Sequence, residues 1–198
     1  MKPIQSTSLK LLMSLCLLVA GAAASAARIE GQTFDEQIRL ADAELVLNGV
    51  GVRGILWIKG YVAGLYMAQK GATPQQVLAV KGAKRIQMKM LLDVESKEFT
   101  KAFNVGIRRN STDAENAALK DRIEQFDHTI ELIGKIGKGD VVNLDFVPAR
   151  GLVLTVNGVV KGQPIPGEDL YAGILKIFIG EQPVDKKLKA GLLGGAPA

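Results

Sequence analysis

The residue with the clearest chemical potential is Arg53, which stands in the glycine-rich segment Leu47-Asn48-Gly49-Val50-Gly51-Val52-Arg53-Gly54. Apolar, strand-like sequence surrounds it, and the aromatic residues Trp57, Tyr61 and Tyr66 follow. A buried arginine needs an anion or several acceptors, because an unpaired buried charge is costly. Two outcomes are open: pairing with an internal carboxylate or with backbone carbonyls, or a planar guanidinium that binds the carboxylate or phenolate of a ligand.

Other kinds of chemistry have little to work with in this sequence. His128 is the only histidine, so neither a zinc-type site nor a nucleophile, base and acid triad is expected. The glycines of residues 49–54 resemble a G-x-G-x-x-G loop, but strand-like sequence flanks them on both sides, so no dinucleotide site is predicted. We therefore expect neither a metal nor a cofactor.

Hydrophobic patterning predicts the strands that would position Arg53. Glycines within its own strand indicate a bulge, a bend or the close approach of a backbone or ligand. The dipeptide Asn157-Gly158 suits a tight hairpin turn. The predicted strands cover residues 34–40, 44–54, 55–68, 85–92, 140–147 and 151–163, the last folded back at that turn.

The sequence also carries helix signals between and after these strands. Thr73-Pro74 and Thr112 with Glu115 are typical helix starts, and Ser96 is predicted to cap a helix whose apolar stripe includes Phe99 and Phe103. Two further helices are predicted at residues 168–179 and 185–193. Strands joined by hairpins, with helices set between them, predict an α+β fold: an antiparallel sheet covered on one face by helices.

The first 26 residues match a cleavable signal peptide. Lys2 and Lys10 provide positive charge, residues 11–24 form an apolar run of about 14 residues, and Ala24-Ser25-Ala26 is a small-x-small cleavage pattern. The apolar run is shorter than the about 20 residues that span a bilayer, so we expect no transmembrane anchor in the mature chain. Residues 27–198 are predicted to form a single domain in the periplasm.

Net charge and cysteine content exclude two kinds of interaction, nucleic-acid binding and disulfide bonding. Loss of Lys2 and Lys10 with residues 1–26 lowers the net charge from +5 to +3, and the remaining basic residues are spread along the chain. A nucleic-acid-binding face needs clustered basic residues, so no nucleic acid is expected. The only cysteine, Cys16, lies in the predicted signal peptide, and the mature chain therefore has no disulfide.

Several motifs in order resemble the bacterial branch of the chalcone isomerase-like proteins, within the superfamily of chalcone isomerases and fatty-acid-binding proteins. They are residues 47–54, Tyr61-Val62-Ala63-Gly64-Leu65-Tyr66, Ile179-Gly180-Glu181-Gln182-Pro183-Val184 and Leu188-Lys189, and the resemblance runs over residues 30–193. It implies an open-faced β-sandwich, with a large antiparallel sheet, helices on one face and a ligand cleft between them.

The resemblance also assigns roles to individual positions. Arg53 matches the arginine that stabilises a substrate oxyanion in plant chalcone isomerases and holds a carboxylate in the fatty-acid-binding members. The enzymes' active-site tyrosine corresponds to Phe99, their helical asparagine falls near Gly106, and a later hydroxyl residue falls near Ile177. Phe99 and Ile177 cannot donate the hydrogen bonds that ring closure needs, so chalcone isomerisation is not expected.

Three hypotheses of function follow. In the first, the protein is a carrier for a small apolar anion such as a fatty acid: Arg53 holds the anionic head and Tyr61 or Tyr66 adds a hydroxyl. Phe99, Phe103 and Ile177 would then line the apolar remainder. The second is an isomerase or intramolecular lyase on a non-flavonoid substrate, with Arg53 as the electrophile. The third is an envelope accessory protein whose cleft is vestigial, in which case Arg53 would be paired internally with no open cavity beside it.

Overall fold

A seven-stranded antiparallel sheet forms the centre of the computed structural model, which describes residues 26–195. Its strands lie in the order β11-β10-β9-β6-β5-β4-β3. Two smaller sheets pair β1 with β2 and β7 with β8. The strands are β1 (Ala26–Ile29), β2 (Gln32–Asp35), β3 (Gln37–Leu40), β4 (Ala43–Ile55), β5 (Ile58–Met67), β6 (Lys84–Met90), β7 (Val94–Glu95), β8 (Lys135–Ile136), β9 (Val141–Val147), β10 (Gly151–Val156) and β11 (Val159–Ile165).

The helices pack on one face of this sheet and share its main core. They are α1 (Pro74–Ala79), α2 (Ser96–Arg109), α3 (Asp113–Glu131), α4 (Glu168–Ile179) and α5 (Lys186–Leu192). Each contributes buried side chains to one cluster that also contains the helix-facing residues of the central strands. The predicted α+β class, with a large antiparallel sheet and helices on one face, is confirmed. No described helix has both the length and the apolar character needed to cross a membrane.

The two faces of the sheet separate two cores. Ala63 and Leu65 of β5 point to the helices, whereas Val62 and Tyr66 belong to a second cluster on the back. This division follows from the alternation of side chains along a strand. The β1–β2 hairpin covers part of the back face with Phe34, which is fully buried.

The rest of the back face carries polar cross-strand pairs. Arg85 of β6 and Asp145 of β9 form a bidentate ion pair with two contacts of 2.6 Å. Gln87 Nε2 donates to Asn143 Oδ1 at 3.0 Å, and Asn143 Nδ2 donates to Thr155 Oγ1 at 2.9 Å. These bonds satisfy polar groups where no helix lies over the sheet.

Most local predictions agree with the structure. Thr73 caps α1, Thr112 and Glu115 form a reciprocal capping box at α3, and Gly180 ends α4. Asn157 and Gly158 have φ values of 52° and 78°, as a type I′ turn requires.

Two local predictions were wrong, and three strands were missed. Ser96 is the first residue of α2, and Glu95 occupies the N-cap without a side-chain bond. The chain enters α2 directly from β7, and the backbone N–H of Ser96 donates to the carbonyl of Gly134. The strand predicted over residues 34–40 is interrupted at Glu36, which separates β2 from β3. Strands β1, β7 and β8 were not predicted.

The predicted signal peptide cannot be compared with the structure, because its residues 1–25 lie outside the described residues.

Glycines in β4 allow α5 to approach the sheet closely. A Cβ at Gly49 would lie 2.1 Å from the carbonyl oxygen of Gly191, and one at Gly51 would lie 2.8 Å from that of Leu188. The buried side chain of Asn48 strengthens this contact, because its Nδ2 donates to the carbonyls of Leu192 and Gly71. Of the alternatives open for this segment, close approach of a backbone is realised at these glycines. The register of β4 against β5 also shifts between Leu47 and Gly49, as at a bulge.

This packing predicts the effect of a single methyl group. We expect Gly49→Ala to lower the free energy of unfolding by about 3 kcal/mol, because the new Cβ overlaps backbone that cannot rotate away. Gly60→Ala is the matched control: its Cβ would lie 3.6 Å from the nearest atom, the carbonyl oxygen of Arg53. Urea unfolding monitored by circular dichroism measures both, and equal stabilities of the two variants would contradict the packing argument.

Candidate functional site

A cavity of about 390 Å³ lies between strands β4, β5 and β6 of the sheet and helices α2 and α4. Its sheet side includes Arg53, Tyr61, Met88 and Met90. Its helix side includes Phe99, Phe103, Ile177 and Phe178. The volume falls within the range of about 300–1,000 Å³ that is typical of small-molecule sites.

Strand register places Arg53 beside Tyr61. The two residues are cross-strand partners in β4 and β5, and Tyr61 in turn lies opposite Met90 of β6. Cross-strand partners share a face of the sheet and have neighbouring side chains. The cation, the hydroxyl and an apolar side chain therefore form one row along the floor of the cavity.

Arg53 has polar contacts inside the protein while it lines this cavity. Its Nη1 donates to the carbonyl of Gly54 at 3.0 Å and lies 3.9 Å from Oδ2 of Asp185. Its side chain is 22% exposed and that of Asp185 is 14% exposed. Both contacts use Nη1, and the side chain also borders the cavity. Internal pairing, the first outcome foreseen for Arg53, is therefore realised in part, while binding of a ligand anion stays a prediction.

The Asp185 carboxylate has other bonds to satisfy. Its Oδ1 accepts hydrogen bonds from the backbone N–H groups of Lys187 and Leu188 at the start of α5, at 2.7 and 3.0 Å. Its Oδ2 accepts from the backbone N–H of Gly54 at 3.3 Å. Because 3.9 Å is long for an ion pair, Asp185 offsets the charge of Arg53 only in part.

Tyr61 carries a neutral hydroxyl. Burial raises the pKa of this hydroxyl above its usual value near 10, and the positive charge of Arg53 opposes the rise without cancelling it. At neutral pH Tyr61 therefore remains protonated and can donate a hydrogen bond to an oxygen of a ligand.

The sequence model of the chalcone isomerase-like family matches residues 26–194, nearly the whole described region. The chain belongs to this family. Among solved structures, the fatty-acid binding protein of Arabidopsis thaliana is similar to it, with a TM-score of 0.66 and 18% sequence identity. That match covers 85% of this chain and 96% of the plant chain, and at this identity it establishes the fold alone. No curated protein sequence matches the chain.

The positions that the resemblance equates with polar enzyme residues are packed with apolar groups. Phe99 stacks on Phe103, with ring centroids 6.1 Å apart, and Phe103 contacts Phe126 at 4.6 Å. A Cβ at Gly106 would lie 2.7 Å from Cγ2 of Ile177, so an asparagine there would require Ile177 to move. The helix side of the cavity thus presents no hydrogen-bond donor at Phe99, Gly106 or Ile177 beyond the backbone.

The structure brings five of the six candidate residues together: Arg53, Tyr61, Phe99, Phe103 and Ile177. It does not place Tyr66 with them. Tyr66 lies five residues after Tyr61 on the same strand, so its side chain points to the opposite face, where it is 1% exposed among the back cluster. Its assignment to the cleft is wrong, and strand parity alone would have excluded it.

Several residues of the site were not foreseen. Met88 and Met90 line the floor. In the sequence they alternate with Gln87 and Lys89, a pattern that indicates one buried face of β6. Asp185 could have been recognised as a helix cap, but nothing local connects it with Arg53, 132 positions earlier. Within residues 26–195, no cluster of three or more histidine, cysteine, aspartate or glutamate residues could hold a metal ion.

The tyrosines supply a test of burial in and around the site. The chain has three, Tyr61, Tyr66 and Tyr171, and burial raises the pKa of each. We expect the native protein to show little tyrosinate absorbance near pH 10–11, because exposed tyrosines ionise at about pH 10 and these three ionise at higher pH.

The same shifts fix the sign of the stability change. Because the folded pKa values are raised, their contribution to stability is complete below about pH 10 and falls as the pH rises, since the unfolded chain then releases protons that the native chain retains. Ultraviolet titration of native and urea-unfolded protein compares the two states. Coincident titration curves would show that the tyrosines are not buried.

Proposed function

We propose that the protein binds a small apolar anion, such as a fatty acid, in the cavity beside Arg53 and releases it unchanged. One observation carries the proposal: a largely apolar cavity has a single basic residue, Arg53, among the described residues that line it. The acidic lining residue Glu98 is exposed to solvent near the first turn of α2, where its charge is screened. The Arabidopsis protein, a fatty-acid binding protein by name, binds a ligand of the same kind.

The geometry supports a specific mode of binding. A carboxylate can accept two parallel hydrogen bonds from a guanidinium, which are stronger than the 3.9 Å contact that Arg53 makes with Asp185. Tyr61 would donate a third hydrogen bond from the adjacent strand. The hydrocarbon chain would then lie against Met88, Met90 and Phe103, where each buried methylene contributes about 0.8 kcal/mol.

The same geometry favours binding over chemistry. A general base must lose its proton near the working pH, but burial raises the pKa of the Tyr61 hydroxyl. Phe99 and Ile177 provide no donor for a developing oxyanion. The accessory-protein hypothesis required Arg53 to be paired with no cavity beside it, whereas a cavity of about 390 Å³ borders Arg53.

Calorimetry with dodecanoate tests the role of Arg53. We expect Arg53→Gln to weaken dodecanoate binding about 10- to 100-fold, because it removes charge-assisted hydrogen bonds worth roughly 1.5–3 kcal/mol. Dodecanol, which has the same chain and no charge, should bind the wild-type protein and the variant alike. Equal affinity of the two proteins for dodecanoate would contradict the assignment.

A matched pair of tyrosine substitutions provides the control. Tyr61→Phe removes a hydroxyl from the cavity and should weaken dodecanoate binding several-fold, whereas Tyr66→Phe removes one from the back face and should leave binding unchanged. If Tyr66→Phe has the larger effect, the ligand does not occupy this cavity.

We also propose that the protein is exported and acts in the periplasm, where a carrier would meet fatty acids released from membranes. The support is the three-part pattern of residues 1–26. Expression of the full chain in a bacterium should yield a periplasmic protein whose mass corresponds to a start at Ala27, within one or two residues. A full-length chain retained in the cytoplasm would refute export.

A further inference from the structure

Three large apolar side chains are exposed in succession at the tip of the β4–β5 hairpin. Leu56 is 86% exposed, Trp57 81% and Ile58 55%. Elsewhere in the described chain, the large apolar residues that are comparably exposed are Leu132, Val159 and Val160, which lie on other elements. An exposed apolar cluster of this kind marks a site of interaction more often than an isolated apolar residue does.

The hairpin projects beyond the sheet and leads directly into the cavity. Ile55 pairs with Ile58, so Leu56 and Trp57 form a two-residue loop. β6 follows β5 as far as Tyr61, which is in register with Met90, and the backbone N–H of Leu91 donates to the carbonyl of Gly60. Trp57 lies three residues before Gly60, so at about 3.3 Å per residue the tip extends roughly 10 Å past its neighbour in the sheet. Ile58, the last of the three tip residues, lines the cavity together with Gly54 and Arg53.

The backbone of the tip is in a conformation that leucine rarely adopts. Leu56 has a φ of 55°, in the left-handed region that glycine and asparagine adopt at little cost. A polar or small residue would therefore suit the turn better. The turn itself therefore does not explain the leucine found there, whose side chain lies in solvent.

The size and charge of the tip favour a lipid bilayer over a protein partner. Three side chains on a two-residue loop bury far less than the roughly 800 Å² per partner of a stable protein interface. Insertion into lipid needs no matching surface, and tryptophan favours the level of the headgroups. Lys59 follows the tip, paired with Glu30 at 2.7 Å, and the exposed Lys186 and Lys187 follow Asp185, which contacts the base of the hairpin. The ammonium groups of Lys186 and Lys187 suit lipid phosphates, whereas that of Lys59 already has a carboxylate partner.

We infer that Leu56, Trp57 and Ile58 insert into the interfacial layer of a phospholipid bilayer. Insertion brings the cavity against the membrane, so that an apolar anion passes between lipid and protein without crossing water. The second part of this inference rests on the proposed function, whereas insertion itself does not.

Trp57 is the only tryptophan of the chain and reports directly on insertion. Vesicles of phosphatidylcholine with phosphatidylglycerol should shift its fluorescence to shorter wavelength, and lipids brominated on the acyl chains should quench it. Leu56→Asn, which removes the apolar side chain and suits the left-handed backbone, should weaken vesicle binding about tenfold. Val159→Asn removes an exposed apolar residue from another hairpin and should bind vesicles like the wild type.

The failure of either proposal can be recognised separately. Leu56→Asn should bind dodecanoate normally in vesicle-free buffer, and Arg53→Gln should bind vesicles normally. A protein that binds dodecanoate but shows neither a spectral shift nor cosedimentation with vesicles would overturn membrane insertion alone. Vesicle binding without dodecanoate binding would overturn the proposed ligand and leave insertion supported. Equal loss of vesicle binding in Val159→Asn and Leu56→Asn would show that the hairpin tip has no special role.

Discussion

The close contact between α5 and β4 sets the geometry of the candidate site. Gly49 and Gly51 carry no side chain where the α5 backbone passes, and the buried amide of Asn48 bonds to the carbonyl that ends the helix. The contact holds the first turn of α5, and with it Asp185, against Gly54. Arg53 therefore meets a carboxylate at a distance fixed by backbone packing, and the rest of its guanidinium remains beside the cavity.

The large antiparallel sheet, the covering helices and most element boundaries could be predicted from the sequence, because they depend on local periodicity and capping. Thr112 with Glu115, and Asn157 with Gly158, carry their structural signals within a few residues. β7 and β8 were missed because each has only two residues, too few for a period to show. Ser96 was misplaced because the end of β7 governs the entry to α2 more strongly than the preference of serine for caps.

The candidate site was only partly predictable, for a different reason. Arg53 stands out as a charge within apolar sequence, and Phe103 belongs to a helical stripe that must face inward. The error at Tyr66 came from treating nearness in sequence as nearness in space, whereas strand alternation sends Tyr61 and Tyr66 to different cores. Asp185 lies beyond local reasoning altogether, because its distance from Arg53 is set by how α5 docks on β4.

Asp185 takes part in two interactions at once, and it thereby links helix α5 to Arg53. One carboxylate both caps α5 and lies near the guanidinium of Arg53, so a change in the position or the partners of either group alters the surroundings of the other. Such linkage is reciprocal: if the proposed anion drew Arg53 away from Asp185, the stability of α5 would change, and a change in that stability would alter the affinity for the anion by an equal free energy. Binding of the proposed ligand in the cavity would then be coupled energetically to the last helix of the described chain.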